Sequence, residues 1–182
     1  MAPAILSGEY LLASKVAYGI KFPWSEGAFF TALPERGDLV LYTRDSKVFI
    51  KRVIAAAQDE IEYVDGAFSI NSMNCKYSLI EKTDDANYGI FDEICGDNSH
   101  KIYQAFSAAN LPAVKRLKLE KFQVFVANDF RNLTGEPDSA ELVSSDQIIG
   151  KPLFVWMSYS STQDFISKSL GIRVNRILTK LK

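Results

Sequence analysis

Around residue 50 the chain sets a lysine and an arginine side by side in a run that is otherwise apolar, Val48-Phe49-Ile50-Lys51-Arg52-Val53-Ile54. β-Branched and aromatic residues at this density predict a strand. The two-residue period of a strand puts Lys51 on one face with Phe49 and Val53, and Arg52 on the other with Ile50 and Ile54. Lysine is usually avoided in such surroundings. Either this is an edge strand whose two cations snorkel to water, or the lysine is held there for its chemistry. A serine hydroxyl is a poor nucleophile until a nearby base takes its proton. A lysine amine can be that base only when neutral, and burial against apolar groups favours the neutral form.

The rest of the chain also reads mostly as strands. Tyr10–Ser14, Leu39–Tyr42, Glu60–Val64, Phe68–Ile70, Phe122–Val126 and Leu153–Ser158 are short apolar-rich runs, and Phe49–Ala56 extends the lysine run. Pro34-Glu35-Arg36-Gly37-Asp38 separates two of them with turn formers, and Asp65-Gly66 favours a tight hairpin. Helix signals are sparse. Ser161–Leu170, stopped by Gly171, is the best, and Asp138–Gln147 suits a short helical turn. The polar stretch from Asn71 to Asn110 has a looser texture, as of an insertion between two halves of a β core.

With 182 residues, 47% of them hydrophobic, the chain can bury the core of one domain with a smaller appended lobe. A net charge of -1 offers no global argument for nucleic-acid binding. After Asp164 no acidic residue follows, whereas Lys168, Arg173, Arg176, Lys180 and Lys182 do. This basic end suits either anionic lipid head groups or plain solvation. Trp24, Phe29 and Phe30 read either as core or as a membrane-facing patch. No apolar run is long enough to span a bilayer. Cys75 and Cys95 are the right number for one disulfide in an extracytoplasmic setting, or else two free thiols. With His100 alone beside them, zinc is not expected. His100 has no triad-like surroundings and reads as a surface loop residue.

Six segments, in order, resemble the bacterial type I signal peptidases. Met1-Ala2-Pro3-Ala4-Ile5-Leu6-Ser7-Gly8-Glu9 is similar to their Ser-Met-x-Pro-Thr-Leu-x-x-Gly-Asp box without its leading serine. Leu12–Lys21 resembles the stretch after that box, and Arg36-Gly37-Asp38-Leu39-Val40 their Arg-Gly-Asp-Val-Val box. Phe49-Ile50-Lys51-Arg52-Val53-Ile54 resembles Tyr-Ile-Lys-Arg-Val-Ile, the box of the general-base lysine. Ile148–Lys151 with Trp156-Met157-Ser158, and Gly171-Ile172-Arg173 with Arg176-Ile177, resemble the closing elements. The central Met-Gly-Asp-Asn-Arg-Asp-Asn-Ser box stands here as Ala127-Asn128-Asp129-Phe130-Arg131-Asn132-Leu133-Thr134. Ala55-Ala56-Ala57-Gln58-Asp59 replaces a Gly-Leu-Pro-Gly-Asp turn, and the loss of both glycines implies a turn of different shape.

The resemblance implies a mainly β fold, a signal-peptidase-type antiparallel β core over 1–66 and 116–182, with a small variable lobe inserted at 67–115 and few short helices. It implies a serine endopeptidase that removes signal peptides from exported preproteins at the membrane lipid surface. The catalytic domain would lie on the periplasmic side of the bacterial cytoplasmic membrane, its anchor outside this chain. Lys51 would be the general base, oriented by the Thr134 hydroxyl. The nucleophile serine is expected directly before Met1, so the chain as given is expected to be inactive. Asp129, Arg131, Asp138 and Ser139 would support the site, and Met1, Pro3, Phe49 and Ile50 would bind substrate. No cofactor, metal or nucleic acid is implied, and oligomeric state is left open. The alternative is an inactive homologue that binds signal peptides or membrane-protein segments without cutting them.

Overall fold

Apolar runs of four to nine residues with turn formers between them can bury their surface only by pairing edge to edge, and the chain does so throughout. The computed structural model describes residues 1–21, 28–29, 32–64, 67–83, 87–106, 114–131, 140–160 and 171–181. The first strands are β1 (Glu9–Ser14), β2 (Ile20–Lys21), β3 (Ala28–Phe29), β4 (Leu39–Arg44), β5 (Lys47–Ala55) and β6 (Glu60–Val64). There follow β7 (Ala67–Ile70), β8 (Met73–Asn74), β9 (Lys76–Lys82), β10 (Tyr88–Cys95) and β11 (Asn98–Ala105). The last are β12 (Val114–Lys118), β13 (Gln123–Ala127), β14 (Phe130–Arg131), β15 (Ala140–Ser144) and β16 (Ile148–Ser158).

The main sheet has six strands in the order β1-β16-β4-β5-β13-β15, every neighbouring pair antiparallel. One of its faces carries Val40, Tyr42, Val53, Val124, Val126, Val143 and Ile148, with Tyr18 and Phe49 packed against them. The other carries Ile54, Phe125 and Ala127, which meet Ile61, Tyr63, Phe68 and Ile70 of the sheet β12-β6-β7-β8. A third sheet, β14-β11-β10-β9, contains one parallel pair, β11 with β14. The mainly antiparallel β expectation holds.

Local chemistry sets the turns. Asp45 and Ser46 both have positive φ, 49° and 60°, and join Arg44 to Lys47 across the β4–β5 hairpin. That is the two-residue turn whose twist suits paired strands. Asn71 and Ser72 repeat it between β7 and β8. The Ala55–Asp59 turn differs from expectation: it keeps a left-handed residue, Gln58 at φ 70°, without a glycine. The Asp59 carboxylate holds it by accepting from the Ala56 amide at 2.7 Å. Arg36 braces Asp59 in turn, its Nε donating to Oδ2 at 2.6 Å.

The short helical turn expected within Asp138–Gln147 is present as a single 3-10 turn, Ser145–Gln147, and the residues ahead of it, 140–144, form strand β15 paired with β13. The polar region from Asn71 to Asn110 contains, among its described residues, four paired strands, β8 to β11. Ser161–Leu170, Asp65-Gly66, Trp24 and Phe30 lie outside the described residues, as does the Phe29 side chain. Among the described residues no helix is long and apolar enough to cross a membrane.

Cys75 and Cys95 are bonded and sit in the core beside Tyr63 and Phe68. The bridge closes a separation of 20 residues. Replacing both cysteines with serine is expected to lower stability by about 2–4 kcal/mol, chiefly by freeing the unfolded chain. Urea unfolding of the oxidised protein and the double variant measures the difference.

Candidate active site

Lys51 and Arg52 are neighbours on β5, and the strand sends them to opposite faces of the main sheet. Both are 2% exposed. The snorkelling edge-strand alternative is therefore excluded: β5 is internal, with β4 on one side and β13 on the other. Buried charges need partners, and each residue finds a different one.

Lys51 Nζ donates to Glu141 Oε1 at 2.6 Å, reaching from β5 to β15. The Tyr42 hydroxyl donates to the same oxygen at 2.6 Å, and Arg44 Nη1 to Oε2 at 2.6 Å. Burial works against the Glu141 carboxylate, but these three donors, Lys51 foremost, hold its pKa below the ordinary value. Phe49 stacks on Tyr42 with ring centroids 5.6 Å apart, and the Arg44 guanidinium lies 4.8 Å over the Phe49 ring. Ile50 points to the opposite face, with Arg52.

Arg52 makes a two-pronged pair with Asp129, Nε to Oδ1 and Nη2 to Oδ2, both 2.8 Å. Its Nη1 donates to the Gly37 carbonyl at 2.8 Å. Segments 36–38, 51–52 and 129–131 thus meet at one guanidinium. Arg131 Nη2 in turn donates to Glu93 Oε2 at 3.0 Å, and His100 Nε2 lies 2.9 Å from that oxygen and 3.8 Å from Asp129 Oδ1. His100 is therefore not a surface loop residue. It sits on β11 inside a charged cluster that joins β5, β10, β11 and β14.

Burial alone would raise the Glu93 pKa, yet the Arg131 guanidinium and His100 pull it down to about 2. A carboxylate lowered on folding contributes stability that is complete above its unfolded value and is lost as pH falls towards the folded one. Stability is thus expected to decline between about pH 4.5 and 2 by roughly 2–3 kcal/mol from this group. Acid unfolding of Glu93→Gln, followed by circular dichroism, should lack that component.

Met1 packs against Leu39, Val155 and Leu181. Its backbone nitrogen is within electrostatic reach of Asp129 and Arg131. Pro3 lines a cavity of about 470 Å³ with Arg52, His100, Lys101 and Arg176. The structure thus gathers Met1, Pro3, Asp129 and Arg131 on the Arg52 side, and Lys51 and Phe49 on the other. Thr134, Asp138 and Ser139 lie outside the described residues. Among the described residues no group of three or more His, Cys, Asp or Glu side chains is placed to hold a metal ion.

The first segment is tied down by the chain's basic end. Glu9 accepts from Arg176 Nε at 2.7 Å and Nη2 at 3.0 Å, and Arg176 Nη2 also reaches the Ala4 carbonyl at 2.7 Å. Arg173 donates to the carbonyls of Ser7 and Tyr159 at 2.7 and 2.9 Å. Neither reading of the basic end, lipid contact or free solvation, describes these two arginines. Gly8 completes the junction: at φ 82° its hydrogen faces the Tyr159 carbonyl, where a Cβ would lie 2.2 Å from the oxygen.

Sequence reasoning missed Glu141 and Glu93, and it placed His100 on a surface loop. An acidic residue in a strand, as in Ala140-Glu141-Leu142-Val143 and Ile90-Phe91-Asp92-Glu93-Ile94, was the available signal.

Residues 1–157 match the family described as signal peptidase, peptidase S26. A signal peptidase I of Buchnera aphidicola is 25% identical, the alignment covering 97% of this chain and 71% of that protein. One from Pseudomonas fluorescens is 26% identical over 87% of this chain and 62% of the relative. One from Rickettsia typhi is 28% identical over 100% of this chain and 76% of the relative. The chain thus spans between 62% and 76% of the length of these three.

Proposed function

Because the chain belongs to the signal peptidase family, peptidase S26, we propose that it is the catalytic domain of a serine endopeptidase that removes signal peptides from exported proteins at the outer face of a bacterial cytoplasmic membrane. The observation that carries the reading is Lys51, a lysine 2% exposed in an internal strand of the main sheet. In this proposal a serine directly before Met1 attacks the scissile carbonyl carbon while Lys51 takes the hydroxyl proton. The tetrahedral adduct collapses to an ester as the amine leaves with that proton. Lys51 then draws a proton from water, whose oxygen displaces the serine and frees the signal peptide.

Thr134 would orient the Lys51 amine, and Asp129, Arg131, Asp138 and Ser139 would hold the frame. The substrate would bind extended, adding a strand near Phe49 and Ile50 on one side and Met1 and Pro3 on the other. A stripe of exposed apolar side chains on β1 and β16 supports contact with lipid: Tyr10 is 63% and Trp156 58% exposed, with Leu12 and Tyr159 nearby. The Cys75–Cys95 bond supports an extracytoplasmic location. We carry the division into a core of 1–66 and 116–182 and a lobe of 67–115 as part of the same proposal.

A second reading, an inactive homologue that binds such segments without cutting, draws support from the Lys51–Glu141 pair, which already engages the amine. The two readings separate in one assay. The protein carrying a serine immediately before Met1 is incubated with a peptide that has small residues ahead of one bond, and the products are identified by mass spectrometry. Cleavage at that bond is the expected result; binding without cleavage would establish the second reading.

A further inference from the structure

The mechanism above accounts for Lys51 but not for the three-donor carboxylate beside it. Glu141 is drawn to Lys51 from β5 and to Tyr42 and Arg44 from β4. These are the titratable and charged groups facing it among the described residues. Arg44 itself lies 4.0 Å from Asp45 at the exposed hairpin turn. The register neighbours of Glu141 on the same face, Val126 and Val143, are apolar and buried. The Glu141 side chain is 15% exposed, and its charge acts on the Lys51 amine at 2.6 Å.

An ammonium has no lone pair with which to accept a proton from serine, and an adjacent carboxylate favours the ammonium form of any amine. A single carboxylate divided between two cations gives each less than its full charge. Arg44 is always charged, so it takes a constant share of Glu141 through Oε2, while Tyr42 and Lys51 compete for Oε1.

We propose that Glu141 is a positioning residue that holds the Lys51 amine in place and sets the acid limit of proteolysis, with Arg44 moderating its hold. This inference rests on the peptidase reading. Two variants should then respond with opposite signs. Glu141→Gln keeps an oxygen to accept from Lys51 but removes the countercharge, so the acid limb of kcat/KM against pH moves to lower pH. Arg44→Gln removes the competing cation, leaves the whole carboxylate to Lys51 and Tyr42, and moves the limb to higher pH. A displacement of one pH unit corresponds to about a tenfold change in rate at any pH on that limb.

The test measures kcat/KM from pH 5 to 10 (roughly the span of amine-based catalysis) for the serine-bearing protein and the two variants, with Lys51→Ala alongside. Opposite displacements are the expected result. Limbs that superimpose on the parent, or move together, overturn the role of Glu141 while Lys51→Ala remains inactive. Full activity of Lys51→Ala would instead overturn the peptidase mechanism itself.

A second measurement needs no activity. In the chain as it stands, carboxyl ¹³C NMR follows the titration of Glu141. Lys51→Met and Arg44→Gln should each raise its midpoint, and a midpoint unmoved by either overturns the shared-carboxylate arrangement.

Discussion

Lys51→Ala is expected to reduce peptide cleavage by about 10²–10⁴-fold, the usual contribution of a positioned general base. The loss should appear in kcat more than in KM, because the amine acts on the serine proton and not on the substrate's binding strand. Lys51→Arg should lose as much. Its guanidinium keeps the positive charge beside Glu141, but it cannot become neutral and so cannot accept the proton. The fold should survive both changes, since Tyr42 and Arg44 continue to satisfy the Glu141 carboxylate. Single-turnover cleavage measured with the thermal unfolding of each variant separates chemistry from folding. Near-parental activity in the Lys51→Arg variant would remove Lys51 from the role of base.

Asp129→Ala should act on stability instead. Arg52 and Asp129 are 2% and 0% exposed, and the substitution takes both carboxylate oxygens from a buried guanidinium that keeps the Gly37 carbonyl. Breaking a buried pair from one side costs about 3–5 kcal/mol. In a chain of this size that lowers the melting temperature on the order of 10 °C. Replacing both partners by apolar residues, Arg52→Met with Asp129→Leu, should recover much of the loss, because no uncompensated charge then remains. Calorimetry of the single and double variants gives the comparison. A double variant no more stable than Asp129→Ala would show that the cluster matters for something other than charge compensation.

The strand framework was legible where apolar alternation is strong. Glu60–Val64 and the runs from Leu39 and Phe49 appear in the structure within two residues of their expected ends. It was illegible in β9 and β10 for definite physical reasons. Most of β9 faces solvent, so pairing with β10 and not burial makes it a strand. The buried positions of β10 are Gly89, Glu93 and Cys95, which form no apolar stripe. The site was half legible. The lysine and arginine of β5 and the acidic and basic residues at 129 and 131 could be found from residue type and resemblance. Glu141, Glu93 and His100 could not, because a buried charge is recognisable only beside its partner. That partner lies 90 positions away for Glu141 and 38 for Glu93.

The opposed side chains of Lys51 and Arg52 also solve a problem of alignment. A strand that is apolar on both faces could slip by one residue against its neighbours without exposing any hydrophobic surface, so greasiness alone does not choose its pairing. Nor does charge alone, since a carboxylate waits on each side. What distinguishes the two alignments is the shape of the cations. The niche formed by Asp129 and the Gly37 carbonyl offers three acceptors arranged for a planar fork, which an ammonium cannot satisfy. The niche at Glu141 offers a single oxygen to a point charge. Exchanging the two residues would conserve composition, charge and hydropathy, yet leave both niches with the wrong guest. The difference between two basic amino acids usually treated as interchangeable thus acts as the key that seats the central strand.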